Sequence, residues 1–351
     1  MRLAVNLVHQ GAGELARAAE RSGYAAALAP EGYRSDAASV LGLVAGVTER
    51  IALISGVMQI PGRPPAMTAL TSATLDSLSG GRFRLGLGVS NPDVSVGWYG
   101  VPFARPLERT REYVDIVRRA LEGDPVTYQG THFEVGGPAP LHLLTERRPG
   151  RLPVLLAAVG PRNLRLAGEI ADGWLGVFTS PEAVAESVAE IRKGRGTDDL
   201  DGFEVLPSLP TAVADSAQDA ADMLRGQYVY LMGIGDPDRN FYCAMARSMG
   251  YEAEVAAFLE RLAAGDRTGA GAALPLGFID RTALIGPVDR IADRMRAYAD
   301  AGVTTLGVMV SAAATGLEGR LAIVEAAARA LERSGTATTA GTGTGTGTGT
   351  G

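Results

Sequence analysis

Short runs of aliphatic residues alternate with longer segments in which apolar positions recur every three or four residues. Eight of the short runs are apolar at nearly every position, which is typical of parallel strands buried on both faces. They comprise residues 3–8, 25–29, 51–58, 83–88, 154–157, 174–177, 203–206 and 304–310. The pattern therefore predicts eight buried parallel strands.

Helices are predicted between these strands. The periodic segments cover residues 13–21, 36–47, 65–78, 106–121, 161–171, 181–191, 216–231 and 287–301, and a last helix over 317–333 follows the eighth strand. Five of them open with proline at or near the first turn, where the missing N–H has no helical partner to lose. Eight strand–helix alternations predict an α/β fold, a (β/α)8 TIM barrel with insertions.

Three stretches lie outside this alternation. Residues 126–135 alternate around Gly130 and predict an inserted hairpin, and residues 233–276 predict a helical insertion before the eighth strand. From Gly335 to Gly351 a Gly/Thr run has little to bury, which predicts a disordered tail. We therefore expect one barrel domain over residues 1–334.

The composition excludes several classes of function. The chain carries 33 Lys+Arg against 39 Asp+Glu, a net charge of −6 with no basic block, so nucleic acid is not expected as a partner. Cys243 is the only cysteine and Lys193 the only lysine, which exclude an internal disulfide and a Schiff-base mechanism. The three histidines, His9, His132 and His142, are far apart in sequence, so no metal site is expected.

Hydropathy predicts neither membrane insertion nor secretion. No run of about 20 apolar residues is present to span a bilayer. The apolar stretch before His9 is too short for a secretory signal, so we expect a cytoplasmic protein.

One motif favours a competing fold. Gly11, Gly13 and Ala16 follow the first strand with the spacing of a dinucleotide fingerprint, and Glu31 ends the second strand about 20 residues later. The strand–helix alternation nevertheless continues through eight units, so the barrel remains the preferred interpretation.

Polar residues at the ends of the first two strands are candidates for proton transfer. In a barrel the carboxyl ends of the strands form the active site, and His9 and Glu31 lie at two of these ends. The alternatives are a hydrogen-bonded loop histidine and a carboxylate paired with an arginine such as Arg34. At the fourth strand, Gly86 and Gly88 allow close approach of a flat ligand or of a neighbouring backbone.

Several motifs, in order along the chain, resemble the bacterial luciferase-like family. They are IALISGV at 51–57, PAMTALTSATLD at 65–76, LSGGRFRLGLG at 78–88, GWYG at 97–100, RTREY at 109–113, AAVGP at 157–161 and ADGW at 171–174. The subgroup most similar in these motifs uses the deazaflavin F420 in place of FMN. The resemblance implies a barrel that binds an isoalloxazine-type ring at the carboxyl ends of its strands.

The resemblance also implies cofactor-binding residues. It places a cis peptide bond at Gly56–Val57 behind the ring and a phosphate-binding turn after the fifth strand. The residues expected to contact the cofactor are Gly56, Val57, Met58, Gln59, Ser90, Asn91, Ala157, Ala158, Gly160, Pro161, Arg162 and Thr179. A glycine turn before a helix N-terminus is also a physically sensible anion site, and Arg162 and Arg165 would add charge; a standard turn with solvated arginines is the alternative.

The chain departs from the F420-dependent dehydrogenases at two positions. Their acidic residue after strand four and histidine after strand two correspond to Asn91 and Gly32. We therefore expect hydride transfer between F420 and an organic substrate, with reduced F420 reducing an activated C=C or C=N bond in a secondary metabolite or modified peptide. The alternatives are an FMN-dependent monooxygenase that uses O2 and a barrel without catalytic activity.

The resemblance further implies a homodimer. A separate F420- or flavin-reducing enzyme would then supply the reduced cofactor.

Overall fold

Eight parallel strands close into a barrel in the computed structural model, which describes residues 1–123, 125–146, 150–313 and 315–338. We number them β1 (Arg2–Asn6), β2 (Ala26–Ala29), β3 (Ala52–Ser55), β4 (Phe83–Gly88), β5 (Val154–Ala157), β6 (Gly173–Val177), β7 (Glu204–Val213) and β8 (Thr305–Met309). Each strand pairs with the next, and β8 pairs with β1, which closes the ring. The predicted (β/α)8 barrel is confirmed.

Helices surround the barrel on its outer face. They are Ala12–Arg21, Ala37–Ala45, Pro65–Leu78, Pro106–Glu122, Pro161–Ile170, Pro181–Arg195, Ala217–Met232, Val288–Asp300 and Leu317–Ser334. A short helix, Pro92–Gly97, follows β4, and a one-turn 3-10 helix, Ile60–Gly62, follows β3. Between β7 and β8 the chain adds Phe241–Ser248, Glu252–Ala263, Arg267–Ala273 and Leu276–Thr282.

The interior of the barrel is filled by small and aliphatic side chains. They come from alternate positions on the strands and comprise Ala4, Ala26, Leu28, Ala52, Ile54, Leu155, Leu175 and Leu206. Val57 and Ala157 pack against this cluster but remain partly exposed. Since both residues lie at the carboxyl ends of strands, they form part of an apolar floor to the mouth of the barrel.

Glu204 anchors a charged network at the opposite end of the barrel. Its carboxylate pairs with Arg2 at 3.3 Å and with Arg84, and it accepts a hydrogen bond from Thr305 Oγ1 at 2.8 Å. These partners come from β1, β4 and β8. The amino-terminal ends of the strands are thereby tied together on the side away from the mouth.

The seventh strand is much longer than predicted. It runs over Glu204–Val213 because Pro207 and Pro210, which are usually excluded from central strands, are accommodated opposite Gly176 and Met309. Its last residues pair with an additional strand, Leu284–Gly286. The helical insertion consequently continues to Thr282 and does not end at residue 276 as expected.

Other predicted segments differ in smaller ways. The antiparallel pair Tyr128–Gln129 and Glu134–Val135 forms a hairpin within residues 126–135. At the start of the predicted tail, the Thr338 N–H donates to the Met1 carbonyl at 3.1 Å. The rest of that tail, residues 339–351, lies outside the described residues.

Candidate functional site

The predicted third strand is interrupted at the mouth of the barrel. β3 ends at Ser55, the Gly56–Val57 peptide bond is cis, and the two-residue strand Met58–Gln59 then pairs with the end of β4. Ser55 Oγ donates to the Gly86 carbonyl at 2.9 Å and accepts from the Gly86 N–H at 2.8 Å. This side chain therefore satisfies the backbone of β4 where the strand ladder is broken.

The two glycines of β4 are required by this bulge. A Cβ atom on Gly86 would lie 1.9 Å from the Ser55 carbonyl oxygen, and one on Gly88 would lie 2.7 Å from Val57 Cγ2. Of the two alternatives raised by the sequence, close approach of a neighbouring segment accounts for both glycines.

Glu31 is an anchor for the bulge. Its Oε1 accepts from the Gln59 N–H at 3.1 Å, and its Oε2 accepts from the Ala37 N–H at 3.3 Å and pairs with Arg63 Nη2 at 2.8 Å. Arg63 Nε, at 3.4 Å from Oε1, occupies the remaining acceptor position. The hydrogen bonds to Glu31 are the main cause that raises the pKa of Arg63.

These contacts change the role expected for Glu31. All acceptor positions of a carboxylate are occupied when it receives four donors. Both oxygens of Glu31 are thus occupied by donors from the protein, an arrangement that favours a positioning role over the predicted proton transfer. The alternative with an arginine partner was closer, although the partner is Arg63 and not Arg34.

Gln59 offers an unpaired acceptor at the site. Its Nε2 donates to the Glu31 carbonyl at 2.9 Å, and its residue is 9% exposed. Within the described part of the chain its Oε1 is buried without a hydrogen-bond partner. A buried acceptor of this kind is costly unless a ligand or water supplies a donor.

Met58 does not line the mouth. Its side chain is 0% exposed and belongs to the core outside the barrel interior. Plain core packing therefore describes the Met58 side chain better than the expected contact with cofactor.

The loop after β4 carries the other two candidates on this side. Ser90 is half-buried and has a φ of 63°, a left-handed conformation that residues other than glycine seldom adopt. Asn91 is exposed, and its side chain accepts from the Val94 N–H at 2.9 Å, which caps helix Pro92–Gly97. The oxygen of Asn91 is thus committed to the cap.

His9 stands on the other side of the mouth. It is exposed in the loop after β1 and lines a cavity of about 220 Å³ together with Glu31 and Arg34. No hydrogen bond from its imidazole is found among the described residues. An imidazole N–H can act as a general acid, so His9 remains the candidate proton donor.

A larger groove of about 940 Å³ lies beside the ends of β5 and β6. Ala158, Gly160, Pro161 and Thr179 line it, and helix Phe241–Ser248 forms its far wall. Gly160 has a φ of 75° and precedes the first residue of helix Pro161–Ile170. Four of the six residues expected at the phosphate turn and at Thr179 are thus brought together, while Ala157 packs against the barrel interior.

The expected arginines do not reach this groove. Arg162 lines a separate surface depression, and Arg165 pairs with Glu190 at 2.6 Å. Of the groove residues in the described ranges, Arg281 is the one arginine, whereas three carry carboxylates: Glu182, Glu186 and Glu190. The alternative raised by the sequence, a standard turn with solvated arginines, therefore describes Arg162 better than a contact to phosphate in this groove.

Sequence reasoning missed a second unpaired acceptor. Asn6, the last residue of β1, has a buried Oδ1 without a partner among the described residues. The Asn6 Oδ1 atom lies 3.0 Å from the position that a Cβ on Gly307 of β8 would take. An asparagine within the apolar run LAVNLV was the available signal.

An aromatic pair spans the rim of the mouth. Tyr33, after β2, and Trp98, after β4, pack edge to face with ring centroids 4.4 Å apart. Both are about half exposed, at 52% and 49%. These rings form an apolar wall that a planar ligand could contact.

Two features are absent from the described residues. No group of three or more His, Cys, Asp or Glu side chains there could hold a metal ion. None of the described helices is both long and apolar enough to cross a membrane.

Comparisons with known proteins agree with this architecture. A Mycobacterium tuberculosis protein named as a coenzyme F420-dependent oxidoreductase is 34% identical over 336 residues, covering 89% of this chain and 96% of its own. The 5,10-methylenetetrahydromethanopterin reductase of Archaeoglobus fulgidus is 29% identical over 271 residues, covering 76% and 79%. The solved F420-dependent tetrahydromethanopterin reductase of Methanopyrus kandleri superposes with a TM-score of 0.82 at 23% identity, covering 93% and 97%.

The family itself is settled by a match over most of the barrel. The family model described as luciferase-like monooxygenase matches residues 8–305, which include the carboxyl ends of β2 to β7. The resemblance read from the seven motifs is confirmed, and the chain belongs to the luciferase-like monooxygenase family.

Proposed function

We propose that this protein is an F420-dependent oxidoreductase that transfers hydride between the deazaflavin and an organic substrate. The observation that carries the proposal is the bulge after β3, which leaves the buried Gln59 Oε1 unpaired beside the partly exposed Val57. The names of two relatives, from Mycobacterium tuberculosis and Archaeoglobus fulgidus, support an oxidoreductase, and the first names F420.

The residues at the mouth fit a flat heterocycle with polar edges. Val57 and Ala157 offer an apolar floor, while Gln59 Oε1 and Asn6 Oδ1 are buried acceptors that await donors. The pyrimidine portion of a deazaflavin carries an N–H donor of the required kind. Val57, Gln59 and Ala157 would hold the ring, and Gly160 and Thr179 would border its tail.

The chemistry divides between the cofactor and the chain. When bound, F420 supplies hydride donor or acceptor character at its C5 atom. Val57 and Ala157 exclude water from one side, and His9 holds an exchangeable proton at an imidazole nitrogen. Glu31 does not exchange a proton, because Arg63, Gln59 and Ala37 occupy its oxygens.

Reduction of an activated C=C or C=N bond is the direction we favour. Asn91 caps a helix and Gly32 has no side chain, so neither supplies the acid or base expected for alcohol oxidation. With Glu31 engaged, proton delivery to a reduced substrate needs only one donor, which His9 can provide. A secondary metabolite or a modified peptide would satisfy this chemistry.

The test is an anaerobic assay with reduced F420 and a panel of activated alkenes and imines. We expect reduced F420 to be oxidised, with one equivalent of reduced product formed and no requirement for oxygen. Turnover that requires FMN and consumes oxygen would instead establish the monooxygenase. Cofactor binding without turnover, unaffected by H9A, would favour the barrel without catalytic activity.

A homodimer through helices Ala37–Ala45 and Pro65–Leu78 belongs to this proposal. The first helix has no charged side chain, and Leu43 is 55% exposed on it. On the second helix, which packs beside the first, Met67 and Leu70 are 48% and 42% exposed. Exposed aliphatic side chains on neighbouring, nearly uncharged helices suit a second copy of the same surface.

The proposal also implies a supply of reduced cofactor. A separate F420-reducing enzyme, or a flavin reductase if FMN is used, would regenerate it. We place both proteins in the cytoplasm.

A further inference from the structure

Two arginines and a histidine converge on one cavity. His9 comes from the loop after β1, Arg34 from the loop after β2, and Arg320 from helix Leu317–Ser334 after β8. These elements are neighbours because β1 lies between β2 and β8 in the closed ring. The cavity is thus built from both ends of the chain.

The charges of these side chains are not balanced within the protein. Across the described ranges, neither Arg34 nor Arg320 has a carboxylate within salt-bridge distance. Glu31, the acidic residue that lines this cavity, is already paired with Arg63 at 2.8 Å. The cavity therefore carries an excess of positive charge.

An aromatic ring contacts one of these arginines, and the other keeps an unpaired donor. The Arg34 guanidinium lies over the Tyr230 ring at 5.7 Å from its centroid. Arg320 Nε is buried and has no hydrogen-bond partner in the part of the chain described. A buried donor without a partner is destabilising, and an oxyanion would satisfy it.

We propose that Arg34 and Arg320 form a subsite for a carboxylate group of the substrate. Guanidinium groups suit a carboxylate because their N–H donors are fixed in a planar fork. This assignment rests on the proposed function and names its substrate class: an unsaturated acid, with its anionic end beside His9.

The acidic tail of the cofactor is the other possible source of such an anion. The groove bordered by Gly160 and Thr179 adjoins β5 and β6, whereas Arg34 and Arg320 lie beside β2 and β8. β5 is four strands from β1 around the ring, so the two regions face each other across the mouth. This separation favours the substrate as the source.

Calorimetric titration with a matched pair of probes tests the assignment. Cinnamate and cinnamyl alcohol share a ring and a C=C bond but differ in charge. We expect wild-type protein to bind cinnamate at least about tenfold more tightly than the alcohol, and R34Q and R320Q each to remove most of that preference. R329Q, an exposed position on the helix that carries Arg320, should retain it.

The outcomes separate this inference from the proposed function. Equal binding of the two probes, or no binding of either, would overturn the subsite even if F420 binds. Carboxylate preference that depends on Arg34 and Arg320 would uphold it even if F420 does not bind. A loss of F420 affinity in R34Q and R320Q with unchanged cinnamate binding would assign the arginines to the cofactor tail and overturn the substrate assignment.

Discussion

Glu31 and Gln59 are joined by two hydrogen bonds, and Gln59 is the donor in both. The Gln59 N–H donates to Glu31 Oε1 at 3.1 Å, and Gln59 Nε2 donates to the Glu31 carbonyl at 2.9 Å. This arrangement fixes the amide of Gln59 and leaves its Oε1 as the unpaired atom. Glu31, which the sequence suggested as an acid or base, therefore sets the orientation of Gln59, the candidate cofactor contact.

Replacing Glu31 should test its positioning role. E31Q breaks a largely buried ion pair with Arg63, whose side chains are 8% and 18% exposed, so we expect a loss of about 1–3 kcal/mol in unfolding free energy. Cofactor affinity should fall together with kcat/KM, since the Gln59 backbone N–H loses its charged acceptor and the segment that carries Gln59 is held less firmly. Chemical denaturation and cofactor titration measure the two effects.

The control is a surface pair of the same charge type. E169Q breaks the exposed pair with Arg111 and should cost less than about 1 kcal/mol. A much lower kcat for E31Q with normal cofactor affinity and stability would instead identify Glu31 as the proton-transfer residue.

Substitution of the β4 glycines should separate folding from binding. G86A places a Cβ 1.9 Å from the Ser55 carbonyl oxygen and should cost roughly 2–4 kcal/mol, because backbone must move. G88A meets the Val57 side chain at 2.7 Å and should cost less stability but weaken cofactor binding. Thermal melting and titration of both variants give the comparison.

Gly42 provides the matched glycine. A Cβ there meets nothing within 4 Å inside helix Ala37–Ala45, so G42A should raise stability by about 0.5–1 kcal/mol. If G88A bound cofactor as tightly as wild type, Val57 would not be part of the ring site.

If the protein is a homodimer through helices Ala37–Ala45 and Pro65–Leu78, charged residues placed on these helices should lower its mass in solution. L43E combined with L70E should give monomers in sedimentation, since both side chains are exposed on the two apolar helices. L144E, at a leucine that is 84% exposed elsewhere, should leave the mass unchanged. A wild-type protein that sediments as a monomer at micromolar concentration would refute the dimer.

Glu20 predicts a pH dependence of stability in acid. Burial raises its pKa, but hydrogen bonds from the backbone N–H groups of Arg50, Ile51 and Glu49 outweigh this and hold the pKa below its ordinary value of 4.5. A depressed pKa stabilises the fold above that ordinary value, and the contribution is lost as the pH falls through the folded-state pKa.

The corresponding variant should therefore differ from wild type only above that range. E20Q should lower stability by about 0.5–1 kcal/mol at pH 7, with the difference vanishing in strong acid. E260Q, an exposed carboxylate on helix Glu252–Ala263, serves as the control. A difference between E20Q and wild type that persisted unchanged in strong acid would refute the ionic origin.

The sequence predicts the barrel well because each strand and helix has a recognisable local pattern of apolar and polar residues. Six predicted strands agree with the structure to within about two residues, since a buried parallel strand needs only a continuous apolar run. The seventh is underestimated because Pro207 and Pro210 carry the local signature of a strand end. The third is overestimated because nothing in the run 51–58 marks the break at Gly56 other than the family resemblance.

The site is predicted less completely because its contacts join residues that are far apart in the sequence. Glu31 pairs with Arg63, which lies 32 residues away, and not with the adjacent Arg34. Arg320 reaches the cavity of His9 only because β8 closes the barrel against β1. Composition and spacing do not encode which of many exposed arginines lack a carboxylate partner.

Titration of the purified protein with F420 and FMN under identical conditions tests the central claim most directly. Trp98, on the rim of the mouth, provides a fluorescence signal, and Q59A reports on the unpaired acceptor. We predict that wild-type protein binds F420 at least about tenfold more tightly than FMN and that Q59A weakens F420 binding. Tighter binding of FMN, or no binding of either cofactor, would contradict it.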